Sequence, residues 1–508
     1  MHSSVEDRPV KDKPMPLWLA LVPVLLLITA LTWNVLFVYG DNALSGSSQV
    51  IILFVAGVTA AIGLKRGVGW DHIQSRIVAT IGNAMPSILI LMLVGSLASI
   101  WLLSGTVPTL VYYGLKLLNP TIFLLACCIA CALTSVMSGS SWSTAATIGV
   151  AMVAVGRALG VPDGLIGGAI ISGSYFGDKI SPLSDTTNLA AAVTETPVFD
   201  HIRYLLLTTG PSMVVTLILF TVIGLNIDTG STSVDVSQEL STIKETFNIT
   251  FWLLLPPIVV LTMIMKKVPA IPSLFVGIVV GGICAVIFQQ PLLGSLAENA
   301  SATPLLSGLF GGLFDSGPSY LLIMDTLYKG VSIETSMPML SELFSAGGME
   351  GMLGTVWLIL AAMTFVGTME ACGMLGRIMD AAKGMVKGFF SLVLSTAGTC
   401  MVTNLSTSDQ YIAVAIPGRM YSDLYKEKGY ASENLSRTLE DTGTVTSVLI
   451  PWNTCGAYHA SVLGIGTLTY LPFCFFNLLS PFMTLLFAWF MIKIKRTGVK
   501  SLQPAPAE

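Results

Sequence analysis

The sequence predicts an all-α polytopic membrane protein. Its composition, its recurring apolar segments and two polar interruptions within those segments support this class. Of 508 residues, 53% are hydrophobic and only 11% are charged, and the mean hydropathy is +0.78. Soluble domains carry roughly 25% charged residues, so this chain lacks the surface charge of a soluble protein. The net charge of -4 is small and does not indicate nucleic-acid binding.

Apolar segments recur along the whole chain, and most approach the ~20 residues that a helix needs to cross a bilayer. No obvious cleavage site follows the first segment, which predicts an uncleaved first helix rather than a signal peptide. The segments are 16–38, 49–64, 78–111, 120–137, 141–157, 164–194, 203–226, 250–265, 270–287, 351–375, 389–404, 406–418, 438–463 and 467–492.

The distribution of Lys and Arg orients these segments, because cytoplasmic loops are enriched in both. The assignments agree if 120–137/141–157 and 389–404/406–418 each leave and re-enter the membrane on one side. Each pair is then a complete helix pair or a re-entrant hairpin. The second pair is short, which favours hairpins. This predicts about ten spans, two re-entrant hairpins, two interrupted helices and cytoplasmic termini.

The distribution of charged residues also divides the chain into two halves with connecting segments. Residues 227–249 hold four carboxylates against one lysine, which predicts an external linker. The predicted units are a cytoplasmic N-terminal tail (1–15), a first repeat (16–226), the external linker (227–249), a second repeat (250–494) with an external insert (290–350), and a cytoplasmic C-terminal tail (495–508).

Sequence similarity between the halves supports an internal repeat. SGSSWSTAATIGVAM (138–152) matches STSDQYIAVAIPGRM (406–420) without gaps, and SGSYFGDKISPLSDT (172–186) parallels TGTVTSVLIPWNTC (442–455). Five crossings per half is an odd number, so the second half is inverted relative to the first. Inverted repeats with interrupted helices at corresponding places are typical of secondary transporters, so we predict an inverted-repeat secondary transporter.

The polar interruption at 178–188 predicts an ion site. Pro182 breaks the helix and frees carbonyl oxygens at membrane depth, where they are tolerated only beside a cavity or a ligand. A carboxylate there costs about 2.5–3.5 kcal/mol on insertion scales, so Asp178 and Asp185 need partners. Carbonyls, carboxylates and hydroxyls together form an oxygen environment suited to a hard cation. The alternatives are an ion pair with Lys179 and polar side chains that only satisfy the broken backbone.

Both interrupted segments also resemble segments of a known protein family. GSYFGDKISPLSDTTNLAAAV (173–193) and LEDTGTVTSVLIPWNTCGAYHASVLGI (439–465) closely resemble hallmark segments of the NhaC family of sodium/proton antiporters, within the ion-transporter superfamily. The resemblance covers about 16 to 494. It implies Na+ and H+ as transported ions, and the family also includes members that couple these ions to malate/lactate exchange.

The candidate site residues combine the polar pattern with this resemblance. The predicted ion- and proton-binding residues are Asp178, Asp185, Ser184, Thr186, Thr187, Asn188, Asp409, Asn453 and Thr454, with Na+ at Asp178, Asp185 and Asn188. Possible proton or substrate contacts are Lys179, Glu370, Ser140, Ser408, Asp441 and His459. Asp409 could instead cap a helix, Asp441 could serve a helix dipole, and His459 could be a packed, hydrogen-bonded residue. Glu370 has no basic neighbour in its apolar segment.

These observations predict an antiporter that exchanges Na+ for H+ by alternating access, with both ions competing for one carboxylate site. The rivals are a coupled carrier of small organic anions such as malate or lactate, and a channel. We find no phosphate loop or metal-ligand spacing, so we expect no enzyme and no cofactor. Expected partners are Na+, H+, small carboxylates in the rival case, membrane lipid and a second copy in a homodimer, but no nucleic acid. The resemblance implies a bacterial cytoplasmic (inner) membrane.

Overall fold

A computed structural model describes residues 15–39, 46–117, 119–227, 237–266, 268–299, 317–384 and 386–497, and this part of the chain is almost entirely helical. Most of the predicted tails (1–14 and 498–508), part of the external linker (228–236) and part of the external insert (300–316) lie outside these residues. The α-helices are α1 (Leu17–Trp33), α2 (Ser47–Lys65), α3 (Trp70–Leu103), α4 (Thr106–Leu117), α5 (Pro120–Ser138), α6 (Ser141–Thr144), α7 (Val150–Ala158), α8 (Asp163–Ile180), α9 (Asp185–Val193), α10 (Val198–Asn226), α11 (Ser237–Thr246), α12 (Leu255–Met265), α13 (Ala270–Phe288), α14 (Gln290–Asn299), α15 (Gly317–Lys329), α16 (Pro338–Leu343), α17 (Leu353–Ala371), α18 (Met374–Lys383), α19 (Phe389–Thr407), α20 (Gln410–Glu427), α21 (Ser432–Leu439), α22 (Thr454–Leu463), α23 (Thr467–Tyr470) and α24 (Phe475–Trp489).

Short segments of other geometry complete the architecture. Strands β1 (Val331–Ser332) and β2 (Ser345–Ala346) form one antiparallel pair inside the predicted external insert. The π-helical turns are Asn34–Tyr39, Ala145–Gly149 and Glu440–Thr444, and the 3-10 turns are Phe251–Leu254, Glu350–Met352, Ser447–Leu449 and Leu471–Phe473.

The number of membrane-spanning helices agrees with the prediction. In the described ranges, eight helices are long and apolar enough to cross a bilayer, and two bent pairs raise the number to ten. Many large apolar side chains on these helices face outward, such as Phe54 and Phe482, which are 67% and 70% exposed. An apolar exterior of this kind is what a lipid-facing surface requires. The protein is therefore a multi-pass membrane protein, as predicted.

Both predicted interrupted helices are confirmed. The first interrupted helix consists of α8 and α9, which are separated by four residues that include Pro182. The second consists of α21, the π turn Glu440–Thr444, the 3-10 turn Ser447–Leu449 and α22, with Pro451 in the break before α22. In each case a proline without a backbone N–H coincides with the end of regular hydrogen bonding.

Two predicted segments are each two helices. The segment 78–111 divides into α3 and α4 at Gly105, whose φ of +79° is a left-handed conformation that glycine adopts without strain. The segment 351–375 contains the end of α17, a left-handed Gly373 and the start of α18. Hydropathy does not detect these breaks, because apolar residues continue through them.

Two helical hairpins present their tips to the interrupted helices. The first hairpin runs from α5 through a left-handed Gly139 into α6 and α7, and the second joins α19 to α20 through a left-handed Ser408. The helices of the second hairpin have 19 and 18 residues, so the prediction that this pair is short was wrong. The predicted segments ended where polar residues begin, but in the structure both helices continue through those polar residues. The inverted relation of the two halves stays a prediction.

Close packing positions the first hairpin against the first interrupted helix. Gly173 and Gly177 of α8 face α5 so closely that an added Cβ would lie 2.2 Å from the Cys128 carbonyl oxygen and 2.5 Å from the Ala132 carbonyl oxygen, respectively. Small residues allow this approach, as is common between membrane helices. The thiols of Cys127, Cys128 and Cys131 are buried in the same region and form no disulfide.

Candidate ion-binding site

The tip of the first hairpin holds the carboxylate of Asp178. Ser141 donates to Asp178 Oδ2 from its backbone nitrogen at 3.0 Å and from its hydroxyl at 2.7 Å. Ser184, beyond the helix break, donates from Oγ to Asp178 Oδ1 at 2.6 Å. Asp178 is only 5% exposed. Three donors thus orient a buried carboxylate at the place where hairpin and broken helix meet.

The second half contains a comparable junction without a carboxylate. The Thr454 backbone nitrogen donates to the Ser408 carbonyl oxygen at 2.8 Å, at the tip of the second hairpin. Asn453 Nδ2 donates to the Asn404 carbonyl oxygen and to Asn404 Oδ1, at 3.1 and 3.2 Å. Asn404 Nδ2 in turn donates to the Gly443 carbonyl oxygen at 2.6 Å. Asn453 and Thr454 therefore join the hairpin to the second break, and no carboxylate takes part in these hydrogen bonds.

A cavity of about 490 Å³ opens beside Asp178. Its charged lining residues in the described chain are two carboxylates, Asp178 and Asp185, and no basic side chain lines it. Asp185 begins α9 and is exposed to this space. Neutral oxygen-bearing side chains complete the polar lining, namely Asn83, Ser87, Ser138, Ser140, Ser143, Thr186, Gln410 and Tyr411.

The remaining polar residues of the first break mainly satisfy its backbone. Thr187 Oγ1 donates to the Lys179 carbonyl oxygen at 3.0 Å, and its backbone nitrogen bonds to the Ser184 hydroxyl at 3.4 Å. Asn188 Nδ2 donates to the carbonyl oxygens of Pro182 and Ser184 at 2.9 and 2.7 Å. Neither Thr187 nor Asn188 lines the cavity. Both residues thus show the backbone role that the sequence left open beside ion binding.

Lys179 does not line the cavity and forms an ion pair with Asp441. Both side chains are fully buried. The other Asp441 oxygen accepts hydrogen bonds from Thr208 at 2.9 Å and Thr484 at 2.5 Å. The pair connects the first interrupted helix to the second, with α10 and α24 contributing the two hydroxyls. Of the predicted alternatives for Lys179, the structure contains the ion pair.

The other predicted residues are dispersed around this centre. Asp409 accepts from the Ile412 backbone nitrogen at 2.9 Å and caps α20, while its neighbours Gln410 and Tyr411 reach the cavity. Ser140 caps α6 and lines the cavity. His459 is buried against aromatic rings, and its Nδ1 lies 2.8 Å from the Cys455 carbonyl oxygen, as expected for a packed histidine.

Glu370 lies far from the cavity, at the end of α17. It is half-buried, and Arg76 of α3 is close enough to act on it electrostatically. Its own segment contains no basic residue, but Arg76 approaches from a distant part of the sequence, and a proton-carrying role for Glu370 stays a prediction. Beside Arg76, Glu370 can have a structural role as the partner of a positive charge, which its own segment did not indicate.

Sequence reasoning missed the donors that fix the two buried aspartates. Ser141, Thr208 and Thr484 donate directly to Asp178 or Asp441. For Ser141 a signal was present, since it follows Ser140 at a hairpin tip. Thr208 and Thr484 lie in long apolar helices, where a hydroxyl usually bonds to the preceding turn and carries no distinctive pattern.

The described ranges contain no group of three or more His, Cys, Asp or Glu side chains that could hold a metal ion. A cation at the cavity would therefore bind between two carboxylates and neutral oxygens. Oxygen ligands of this kind suit a hard cation.

Comparison with known proteins identifies one family model and several similar proteins that match most of this chain. The model of the Na+/H+ antiporter family matches residues 173–492. The Na+/H+ antiporter NhaC of Alkalihalophilus pseudofirmus is 36% identical over 445 residues, which cover 88% of this chain and 90% of that protein. The NhaC protein of Bacillus subtilis is 36% identical over 441 residues, covering 86% and 91%. The malate-2H+/Na+-lactate antiporter of Bacillus subtilis is 34% identical over 441 residues, covering 86% and 88%.

Proposed function

The chain belongs to the NhaC family of Na+/H+ antiporters, and we propose that it exchanges Na+ for H+ at the cavity that contains Asp178 and Asp185. The transported ions follow from the family. The assignment of the site rests on one observation: the cavity has two carboxylates and no basic side chain among its described lining residues. Such a lining attracts cations and disfavours anions.

Competition between the two ions at these carboxylates provides the coupling. A carboxylate that has bound a proton loses its charge and no longer attracts Na+. By linkage, protons lower the affinity for Na+ by the same factor by which Na+ lowers the affinity for protons. If only the loaded forms move between inward- and outward-facing states, each sodium ion crosses in exchange for protons. Ser141 and Ser184 keep Asp178 oriented for either ion.

The cavity opens towards the predicted cytoplasmic side. Its wall includes Ile264, Val268 and Ala270, which surround the basic residue Lys266 between α12 and α13. Basic residues in this connection place it in the cytoplasm by the positive-inside rule. We therefore assign the structure to an inward-facing state of a carrier in the bacterial cytoplasmic membrane, with both termini inside.

Organic-anion exchange is less well supported by the site. One relative is named as a malate-2H+/Na+-lactate antiporter, so the family alone does not exclude this activity. A carboxylate substrate binds best beside a positive charge. Lys179, which directly follows Asp178, is bound to Asp441 and does not line the cavity.

Reconstituted protein tests the proposal directly. Proteoliposomes with an internal pH dye are given an inward or outward Na+ gradient, with K+ as the control cation. We expect Na+ to drive a pH change in the absence of any organic acid. The same vesicles then receive malate on one side and lactate on the other. A pH change that requires these acids would replace the proposal with metabolite exchange, and ion currents in single-channel recordings would replace it with a channel.

A further inference from the structure

Two oppositely charged side chains beside the second break are buried without hydrogen bonds. Arg437 and Glu440 are both 0% exposed, one helical turn apart. Among the described residues, neither the three guanidinium nitrogens of Arg437 nor the two carboxylate oxygens of Glu440 have a hydrogen-bond partner. Side chains three residues apart on a helix can meet, yet these two form no ion pair in this structure.

The two side chains tolerate this environment in different ways. An arginine stays charged in proteins, and the Arg437 guanidinium lies 4.6 Å from the ring centre of Tyr204 and 5.7 Å from that of Phe487. The Glu440 carboxyl group has no hydrogen-bond partner among the described residues, and Lys179 acts on it only electrostatically. A carboxylate anion without donors is strongly disfavoured in a dry interior, and such a group takes up a proton instead. These surroundings favour an uncharged carboxyl group at Glu440.

Its neighbour Asp441 provides an internal comparison. Asp441 binds Lys179, Thr208 and Thr484, so its anion is fully paired. The two adjacent carboxyl groups thus have very different surroundings, and such a difference is how proteins separate a proton carrier from a structural anion. Glu440 does not line the cavity, and the ammonium group of Lys179 acts on it electrostatically. Na+ is thereby kept away, whereas a proton needs no comparable space.

The local backbone can change the relation of Glu440 to Arg437. Glu440 begins the π-helical turn Glu440–Thr444. Single π turns occur frequently at functional sites, because the extra residue can shift along the helix. A return of this turn to α-helical geometry moves Glu440 relative to Arg437. The titratable or charged groups carried by the surrounding elements are Asp178 and Lys179 on α8, His201 on α10, Cys400 on α19, Tyr425 on α20, and Arg437 and Asp441 on either side.

We propose that Glu440 is a proton-binding residue of the exchanger, separate from the carboxylates that face the cavity, and that it pairs with Arg437 after its proton leaves. The proton departs from the carboxyl group to water, and the carboxylate that remains accepts hydrogen bonds from the guanidinium group. This inference rests on the proposed Na+/H+ exchange and adds a second place where a proton is held. Na+ binding in the cavity and proton release from Glu440 are then linked through the Asp178–Lys179–Asp441 connection.

The number of protons displaced by each Na+ tests this assignment. The Na+ dissociation constant of the full-length protein in nanodiscs is measured by calorimetry from pH 6 to 9. The slope of its logarithm against pH counts the displaced protons. In Glu440→Gln, which mimics the neutral acid, we expect Na+ still to bind and the slope to fall by up to about one proton. In Glu433→Gln, a glutamate on α21 that pairs with Lys495, the wild-type slope should persist.

Three outcomes would overturn the proposal: an unchanged slope in Glu440→Gln, loss of Na+ binding by a folded Glu440→Gln protein, or an equal fall in Glu433→Gln. If Glu440→Gln does not fold, Arg437→Gln replaces it. Without the Arg437 guanidinium group to pair with, Glu440 should keep its proton from pH 6 to 9, so the number of protons displaced by each Na+ should fall as in Glu440→Gln. An unchanged number of displaced protons in Arg437→Gln would also contradict the proposal. Failure of the wild-type protein to bind Na+ would instead refute the exchange function itself.

Discussion

Lys179 and Asp441, 262 positions apart in the sequence, form a fully buried ion pair that connects the first interrupted helix to the second. Lys179 directly follows Asp178, whose carboxylate faces the cavity. The ion pair therefore couples the helix that carries a cavity carboxylate to the second half of the chain. Thr208 and Thr484 complete the hydrogen bonding of Asp441, so the connection also includes α10 and α24.

Removal of one member of this pair should destabilise the protein strongly. Lys179→Met leaves the Asp441 charge buried without its main partner, and breaking such a pair costs about 3–5 kcal/mol. We expect a clear fall in the midpoint of thermal unfolding, measured on the detergent-solubilised protein. The double variant Lys179→Met/Asp441→Asn should recover part of the loss, because it leaves no unpaired charge.

The exposed pair of Lys426 and Glu195 provides the matched control. Exposed ion pairs contribute little to stability, so Lys426→Met should leave the unfolding midpoint unchanged. A double variant at Lys179 and Asp441 that is no more stable than Lys179→Met would show that the charges themselves are not the cause.

Neutralisation of the cavity carboxylate should abolish exchange without unfolding the protein. Asp185 is exposed to the cavity, so Asp185→Asn removes a charge that Na+ and H+ share without leaving a buried group unpaired. We expect Na+-driven pH changes in proteoliposomes to disappear while the unfolding midpoint is retained. Asp423→Asn, an exposed change on α20 outside the cavity, should exchange normally. An active Asp185→Asn protein would contradict the site assignment.

The hydroxyl of Ser141 should influence Na+ affinity through Asp178. Ser141→Ala removes one of three donors and leaves the backbone nitrogen in place. Hydrogen bonds to charged groups contribute about 1.5–3 kcal/mol. Because this bond is already formed without the ion, only part of that energy affects binding, and we expect the Na+ dissociation constant to rise by up to about tenfold. Thr147→Ala, in the same hairpin, removes a hydroxyl that bonds only to the carbonyl oxygens of Ser143 and Thr144. Calorimetric titration should show a larger effect for Ser141→Ala than for this control.

The fold class and the two helix breaks were predictable because their physical signals are local. An apolar segment of about twenty residues indicates a span. Pro182 and Pro451, each beside polar residues within such a segment, indicate an interruption. By contrast, the ends of α19 and α20 were misplaced. Helix ends there depend on a left-handed Ser408 and on the Asp409 cap, which hydropathy does not measure.

The candidate site was predictable only in part, for a related reason. The sequence identified Asp178 and Asp185 as charges in an apolar segment, and both lie at one cavity. It could not choose between a proton carrier and an ion-pair partner for Lys179. That choice depends on Asp441, which the fold brings close from the other half of the chain. Ligand roles for Thr187 and Asn188 stay predictions, and their bonds within the broken helix were invisible in the sequence.

The close approach of α8 to α5 should be sensitive to a single methyl group. A Cβ at Gly177 would lie 2.5 Å from the Ala132 carbonyl oxygen and 2.6 Å from the Val136 backbone nitrogen. Backbone atoms cannot yield as a flexible side chain can, so Gly177→Ala should cost about 1–3 kcal/mol and separate the helices. Gly210→Ala is the control, since nothing lies within 4 Å of its Cβ position.

The same substitution should weaken Na+ binding, because Gly177 immediately precedes Asp178. Separation of α8 from α5 draws the Asp178 carboxylate away from the Ser141 donors at the hairpin tip, which are now 2.7 and 3.0 Å away. We therefore expect Gly177→Ala to lower the unfolding midpoint and to raise the Na+ dissociation constant together, while Gly210→Ala changes neither. A Gly177→Ala protein that is less stable but binds Na+ with unchanged affinity would show that the hairpin tip does not orient Asp178 for the ion.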